Sequence, residues 1–152
     1  NVKRFLFPLA LGICALSGCA TAPQPLTQTP NTWITPPQAV LLAANAAPQG
    51  VRGTFSMRVQ STGTQGDRSF LNSEADYRDQ RNLTVTLTRR AANELWERIG
   101  ADPMVALKGR NILVTGSAVR TKIYFFAQGV KTDKYYYQTH VNVSNANQVV
   151  VE

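Results

Sequence analysis

The chain is poor in the residues that metal centres and covalent catalysis need. Its 152 residues include two cysteines and one histidine. Cys14 lies inside an apolar run near the N-terminus, and His140 alone cannot build a multi-histidine metal site. A histidine base would also need a nucleophile and an orienting group, and the sequence shows no such arrangement. We therefore predict a protein that is not an enzyme and has no metal or cofactor, with His140 at the surface or rim.

Acidic residues are also few, and three of them are close together. Glu74, Asp76 and Asp79 could hold a hard cation or act as an acid/base pair. Because Tyr77 and Arg78 are interleaved with them, the same pattern suits an ordinary charged loop between two strands. We expect the loop.

Residues 20–50 lack charge altogether. They contain six of the eight prolines and no Asp, Glu, Lys, Arg or His. Pro-rich segments favour an extended backbone, so the composition predicts an uncharged tether over residues 19–49.

A short helix is predicted within this tether, over residues 36–47. Thr35 can cap it, and the two prolines that follow suit a first helical turn. The helix could pack on the folded domain, on lipid or on a partner protein. The candidate docking residues for a partner are Trp33, Leu41 and Leu42.

No apolar run of about 20 residues, the length of a membrane-spanning helix, follows Cys19. An apolar run does precede Cys19, and it follows Lys3 and Arg4. This run is too short to span a bilayer and is typical of an export signal. The run ends in Leu16-Ser17-Gly18-Cys19, which resembles the lipobox of bacterial lipoprotein precursors.

That resemblance implies an N-terminal signal peptide over residues 1–18 and a mature chain that begins at a lipidated Cys19. Ala20 follows the cysteine where an aspartate would favour retention in the inner membrane. The resemblance therefore implies a protein anchored in the outer membrane on its periplasmic face, with the membrane as one partner through the lipid.

The charge balance is moderately basic. Cleavage after residue 18 would lower the formal charge from +7 to +5, because it removes Lys3 and Arg4. A basic surface can favour anionic lipid headgroups, anionic glycan or nucleic acid, but net charge does not choose among them.

From residue 50 onward the pattern changes to one of strands. Apolar residues alternate with polar ones, which is typical of half-buried strands. A helix is predicted over residues 89–99, capped by Thr88 and ended by Gly100, with Trp96 on its apolar face. Residues 61–66 are predicted as a turn. The strands are placed at 51–59, 68–75, 82–88, 110–126, 135–143 and 148–151.

Three strands, a helix and at least two further strands resemble the oligonucleotide/oligosaccharide-binding (OB) fold. The stretch from Leu107 to Gly116 resembles the start of the fourth strand in such domains. The resemblance implies a mainly β domain over residues 50–152: a small OB-like five-stranded barrel with one helix between strands three and four.

Aromatic and basic residues are the best binding candidates, because OB domains stack rings and follow phosphates with such side chains. Alternation predicts Phe125, Tyr135 and Tyr137 inside the barrel. The candidate binding residues are Arg58, Arg68, Tyr124, Phe126, Tyr136 and His140.

The sequence thus predicts a lipid-anchored envelope protein whose OB-like domain is a non-catalytic binding or assembly module for another envelope component. The alternative is an OB-fold binder of nucleic acid or glycan that uses the basic and aromatic face.

Overall fold

The computed structural model describes residues 32–152, so the lipobox and the first part of the predicted tether lie outside the described residues. In the described part, no helix is long and apolar enough to cross a bilayer. This part is mainly β. The helices are α1 (Pro36–Ala46), α2 (Arg89–Ile99) and α3 (Pro103–Ala106). The strands are β1 (Val51–Arg58), β2 (Ser61–Gln65), β3 (Arg68–Asn72), β4 (Leu83–Thr88), β5 (Asn111–Ala127), β6 (Val130–Val143) and β7 (Val149–Val151).

The strands form one sheet in the order β1-β5-β6-β4-β3-β2, with β7 paired to β5. The pairs are antiparallel except for β4 and β6, which are parallel. The predicted helix between strands three and four is present as α2, which follows β4 and precedes β5.

The prediction of a closed five-stranded barrel is wrong, because the sheet is open and has seven strands. Residues 61–65, predicted as part of a turn, instead pair with β3 as strand β2. The turn itself is confined to Gly66 and Asp67, where Gly66 has a φ of 61°. Only two residues join β1 to β2. The Val59 N–H donates to Arg110 O, and the next N–H, that of Gln60, donates to Asn72 O, so the chain passes directly from one end of the strand order to the other.

The core lies against one face of this sheet. Phe55, Leu71, Val85, Val114 and Val141 project from five different strands on this face and are fully buried. Burial of this apolar surface is the main stabilising contribution, at about 25 cal/mol per Å².

Helix α1 packs on that same core. Ala39 and Ala43, one turn apart, are fully buried, and their small side chains allow the helix to approach the sheet closely. Just before it, the Ile34 N–H donates to Thr54 O of β1. The sequence placed residues 32–49 in the tether, but in the structure they belong to the same compact unit as the rest of the described residues.

Helix α2 has the predicted caps. The Thr88 hydroxyl accepts from the Ala91 N–H, and Gly100 ends the helix with a φ of 77°. Ala91 and Leu95, four residues apart, form the buried stripe. Trp96 is 51% exposed, so its predicted place on the apolar face of this helix is wrong. Its side chain lies beside the buried stripe rather than on it.

Strands β5 and β6 continue well past their neighbours. The pairing of β5 with β1 stops at Ala118, and the pairing of β6 with β4 begins at Thr139. Residues 119–138, called the arm below, therefore form a two-stranded hairpin. At about 3.4 Å per residue, it extends some 27 Å from Val119 to Ala127.

The arm also explains why three aromatic residues that were predicted to be buried are not. Phe125, Tyr135 and Tyr137 were predicted inside the barrel, and all three are exposed. The alternation continues from the core strands into the arm at Tyr135 and Tyr137, whereas Phe125, beside a shift in strand register, lies on the opposite face against Tyr136. However, within the described residues no further strand or helix layer covers it, so inward register no longer means burial.

Candidate binding site

One face of the arm carries alternating cations and tyrosines. The Arg120 guanidinium lies 3.7 Å from the centroid of the Tyr137 ring, and the Lys131 ammonium lies 3.6 Å from that of Tyr124. Between them, Lys122 lies 4.3 Å from the Tyr135 ring. We call these six residues the ladder: Arg120, Lys122, Tyr124, Lys131, Tyr135 and Tyr137.

The ladder follows from the strand register. Lys122 pairs with Tyr137, and Tyr124 pairs with Tyr135, so their side chains project from the same face. Tyr135 meets both Tyr124 and Tyr137 edge to face. Among residues 32–152 no acid forms an ion pair with a ladder cation. The ladder thus presents positive charge held against exposed rings.

The opposite face of the arm borders a groove of about 690 Å³, called the arm groove. Strand β2 forms the other border, and β3, β4 and the loop before β4 contribute between them. Exposed and half-buried rings line it, and Arg78 is the only charged side chain among its lining residues. Its lining side chains include Phe70, Asn72, Tyr77, Thr84, Ile123, Phe125, Tyr136 and Gln138.

Beside the groove, buried polar groups are fully paired. The Asn82 amide donates to Thr84 Oγ1 at 2.9 Å and to Tyr77 O at 3.2 Å. The Thr84 hydroxyl donates in turn to Asn72 Oδ1 at 3.0 Å. In the described part of the chain, no buried side-chain nitrogen or oxygen lacks a hydrogen bond. The network fixes the loop before β4, and with it Tyr77, against the sheet.

A second chain of hydrogen bonds leads to the groove through His140. The Thr86 hydroxyl lies 3.0 Å from Nδ1, and Nε2 lies 2.7 Å from Gln138 Oε1. The Gln138 amide then donates to the Tyr136 hydroxyl at 2.8 Å. Burial lowers the pKa of His140 to about 4, so the ring is neutral near pH 7, with Nε2–H donating and Nδ1 accepting.

In this arrangement, the Tyr136 hydroxyl proton takes no part in the chain of hydrogen bonds through His140. The hydroxyl oxygen accepts from Gln138, and its own proton is available to a ligand in the groove. Burial raises the pKa of Tyr136, so this proton is retained at neutral pH. The Tyr136 ring also contacts Phe125, with centroids 5.3 Å apart. The groove therefore offers a hydrogen-bond donor beside a pair of rings.

The structure brings four of the six predicted binding residues to this region. Tyr124, Phe126 and Tyr136 line the groove, and His140 lies behind Tyr136. His140 is half-buried and hydrogen-bonded at both nitrogens, instead of lying free at the surface.

The two predicted arginines lie elsewhere. Arg58, at the end of β1, is exposed and is not part of the groove lining. Arg68 begins β3, beside the turn, and lies 3.9 Å from the Asp67 carboxylate. The predicted docking residues Trp33, Leu41 and Leu42 are exposed around α1, and Leu41 is the most accessible at 63%.

The acidic cluster forms turns and no metal site. Asp76 accepts from the Arg78 N–H, and Asp79 accepts from the N–H and side chain of Arg81. The Arg81 side chain is the main reason why the pKa of Asp79 is lowered to about 2. Within residues 32–152, no group of three potential ligands is placed to hold a metal ion.

Several groove residues were missed by the sequence reasoning. Tyr77 was interpreted only as part of a charged loop, and Gln138 was not selected as a candidate. Asn72, Thr84 and Ile123 carry no recognisable motif. Their shared position depends on strand pairing between residues far apart in the chain, and the one available signal was alternation in β6.

Comparisons with known proteins find only a limited similarity to solved structures. No protein-family model and no curated protein match the chain. A solved structure of a Leishmania major protein assigned as an aspartyl-tRNA synthetase is 12% identical, with a TM-score of 0.42. The match covers 87% of this chain and 23% of that protein. Plasmodium falciparum SSB, solved in complex with ssDNA, is 16% identical over 68% of this chain and 92% of its own, with a TM-score of 0.39.

Proposed function

We propose that this protein is a non-catalytic binding module of the bacterial cell envelope, anchored by lipid at Cys19, that holds an extended segment of another envelope protein in the arm groove. The anchor is inferred from the lipobox. The OB-like character is part of the same proposal and rests on the order of the elements, with α2 between β4 and β5.

The observation that carries the choice of ligand is the charge of the groove. Its lining includes several rings, amides and hydroxyls but only one charged side chain, that of Arg78. A nucleic-acid strand would bring one phosphate per nucleotide into a site with a single cation. A protein segment instead brings apolar side chains and backbone amides, which suit Phe125, Tyr77 and the Tyr136 hydroxyl.

The strands that border the groove support this choice. In the described sheet, β2 pairs only with β3, and the arm part of β5 pairs only with β6. Each strand therefore keeps one edge with unpaired backbone groups. An extended segment can add to such an edge by main-chain hydrogen bonds, while neighbouring pockets take its side chains.

Site-specific photo-cross-linking in cells tests the proposal. A photoreactive residue at Phe125 lies in the groove, one at Leu41 lies on α1, and one at Val150 on β7 is an exposed background control. We expect a discrete protein adduct from position 125 and none from positions 41 and 150.

An adduct from position 41 alone would overturn the groove as the docking site and transfer that role to Trp33, Leu41 and Leu42. The absence of protein adducts at both 125 and 41 would overturn the assembly role itself.

A second candidate function is favoured by the ladder. Its cations have no acidic partner in the described chain, and its tyrosines are accessible. Single-stranded nucleic acid or an anionic glycan would find both charge and rings on this face. Tyr124 is the one ladder residue that also lines the groove, so variants at the other ladder positions separate the two sites.

Titration with a single-stranded oligonucleotide at two salt concentrations tests the second candidate. Binding through the ladder should weaken steeply with salt, since phosphate contacts release counterions. Tyr135→Ala should then cost about 1–3 kcal/mol if a base stacks on that ring, whereas Arg58→Gln, outside the ladder, should change little. Binding that is absent or insensitive to Tyr135→Ala would exclude the ladder as a nucleic-acid site.

A further inference from the structure

The free end of the arm is apolar and uncovered. Phe126 is 65% exposed, Val130 is 69% exposed and Phe125 is 48% exposed. The turn between the strands is made by Gln128 and Gly129, with φ values of 49° and 77°, which is the geometry of a tight hairpin. Three large apolar side chains are thus held at the end of a projecting hairpin.

Cations and then tyrosines follow behind this tip. Lys131 and Lys134 are next to it in the chain, and Lys122 lies on the ladder behind them. Tyr124 and Tyr135 pair with each other, two residues nearer the tip than the pair of Lys122 and Tyr137. Residues 119–138 contain four Lys or Arg and one acid, Asp133.

This sequence of chemistries matches the depth profile of a bilayer surface. Apolar side chains favour the acyl region, and lysines extend along apolar surface to reach phosphates. Tyrosines concentrate at the level of the headgroups. Anionic lipids attract basic residues near the surface.

We propose that the arm tip inserts into an anionic lipid surface, with Phe126 and Val130 among the upper acyl chains and Lys131 and Lys134 on lipid phosphates. Insertion is shallow, because the outer edges of the arm carry unpaired backbone groups that cannot enter hydrocarbon. The tip is convex, which suits a deformable surface better than a rigid partner pocket. Phe126 also lines the arm groove, but Val130, Lys131 and Lys134 do not, so the lipid contact uses a part of the arm outside the groove.

The test places a tryptophan at the tip of the full chain. In a background with Trp33→Phe and Trp96→Phe, Phe126→Trp reports the depth of the tip, and Thr64→Trp at the β2–β3 hairpin is the matched control. Vesicles are made of equal parts phosphatidylglycerol and phosphatidylcholine, with bromine on the acyl chains as quencher. Because quenching is read at one position, attachment through the N-terminus does not mimic it.

We expect blue-shifted, strongly quenched emission from position 126 and little quenching from position 64. Lys131→Gln and Lys134→Gln should each weaken tip insertion about fivefold, and vesicles of phosphatidylcholine alone should give much less quenching. Both lysines are exposed, so the fold should be retained, as circular dichroism would show.

Equal quenching at positions 126 and 64 would overturn the insertion. Equal quenching of position 126 with and without phosphatidylglycerol would overturn the anionic specificity. A tip that is unquenched in vesicles yet forms a protein adduct from a photoreactive residue at Val130 in cells would assign the tip to a protein.

Discussion

Two adjacent residues of α2 should differ sharply in their effect on stability. Leu95 is fully buried, and truncation to alanine leaves a cavity in the core, with an expected cost of about 2–5 kcal/mol. Trp96 is 51% exposed, so truncation removes about half of the contacts of a buried ring. Since full burial of a large apolar side chain is worth about 1.5–3 kcal/mol, we expect about 1 kcal/mol for Trp96→Ala.

The comparison is well matched because both positions are internal to the same helix. Replacement by alanine at either one changes helix propensity by only a few tenths of a kcal/mol. Urea unfolding followed by circular dichroism gives both free energies of unfolding. An equal loss for the two variants, or a larger loss for Trp96→Ala, would mean that α2 presents a different face to the sheet.

Three further outcomes follow from the same structure. The pKa of His140 is about 4 in the folded protein, against an ordinary value of 6.5, so the free energy of unfolding should fall as the pH drops from 6.5 towards 4. Between pH 7.5 and pH 5, the wild type should lose about 2 kcal/mol more of this free energy than His140→Gln, as measured by urea unfolding. A mature chain with a lipidated Cys19 at its N-terminus should be found by intact mass, and a plain N-terminus elsewhere would refute the lipobox. Deletion of residues 20–49 should destabilise the domain, because it uncovers the surface that buries Ala39 and Ala43; an unchanged melting curve would show that α1 is dispensable.

Local signals predicted the elements that depend on local chemistry. Thr88 and Gly100 marked the two ends of α2, and Thr35 marked the start of α1. Alternation located the main strands, because a half-buried strand repeats every two residues. These features depend on neighbours in the chain, and the sequence contains them directly.

Features that depend on pairing between strands far apart in the chain could not be predicted from such local signals. Ser61 to Gln65 have the composition of a turn, yet their pairing with β3 makes them a strand. Tyr137 fits the alternating pattern of β6, but the pattern does not show where along the strand the packed core ends. The helix over residues 36–47 was predicted, and packing on the folded domain was one of its alternatives, but nothing in the sequence showed that Ala39 and Ala43 would be the residues buried.

The candidate site was therefore predicted only in part. Tyr136 was selected for its ring and its position in β6, and it does line the groove. Asn72, Tyr77 and Thr84 join it because β3 and β4 pair and the loop before β4 folds over the sheet. No spacing in the sequence indicates that arrangement.

Hydrogen exchange of the protein in its native membranes, compared with the purified protein, tests the central claim most directly. If an extended protein segment occupies the arm groove, backbone amides of β2 and of residues 123–126 should exchange more slowly in the membranes, while those of α1 should be unchanged. Slower exchange confined to α1, or identical exchange throughout β2 and the arm, would contradict the account.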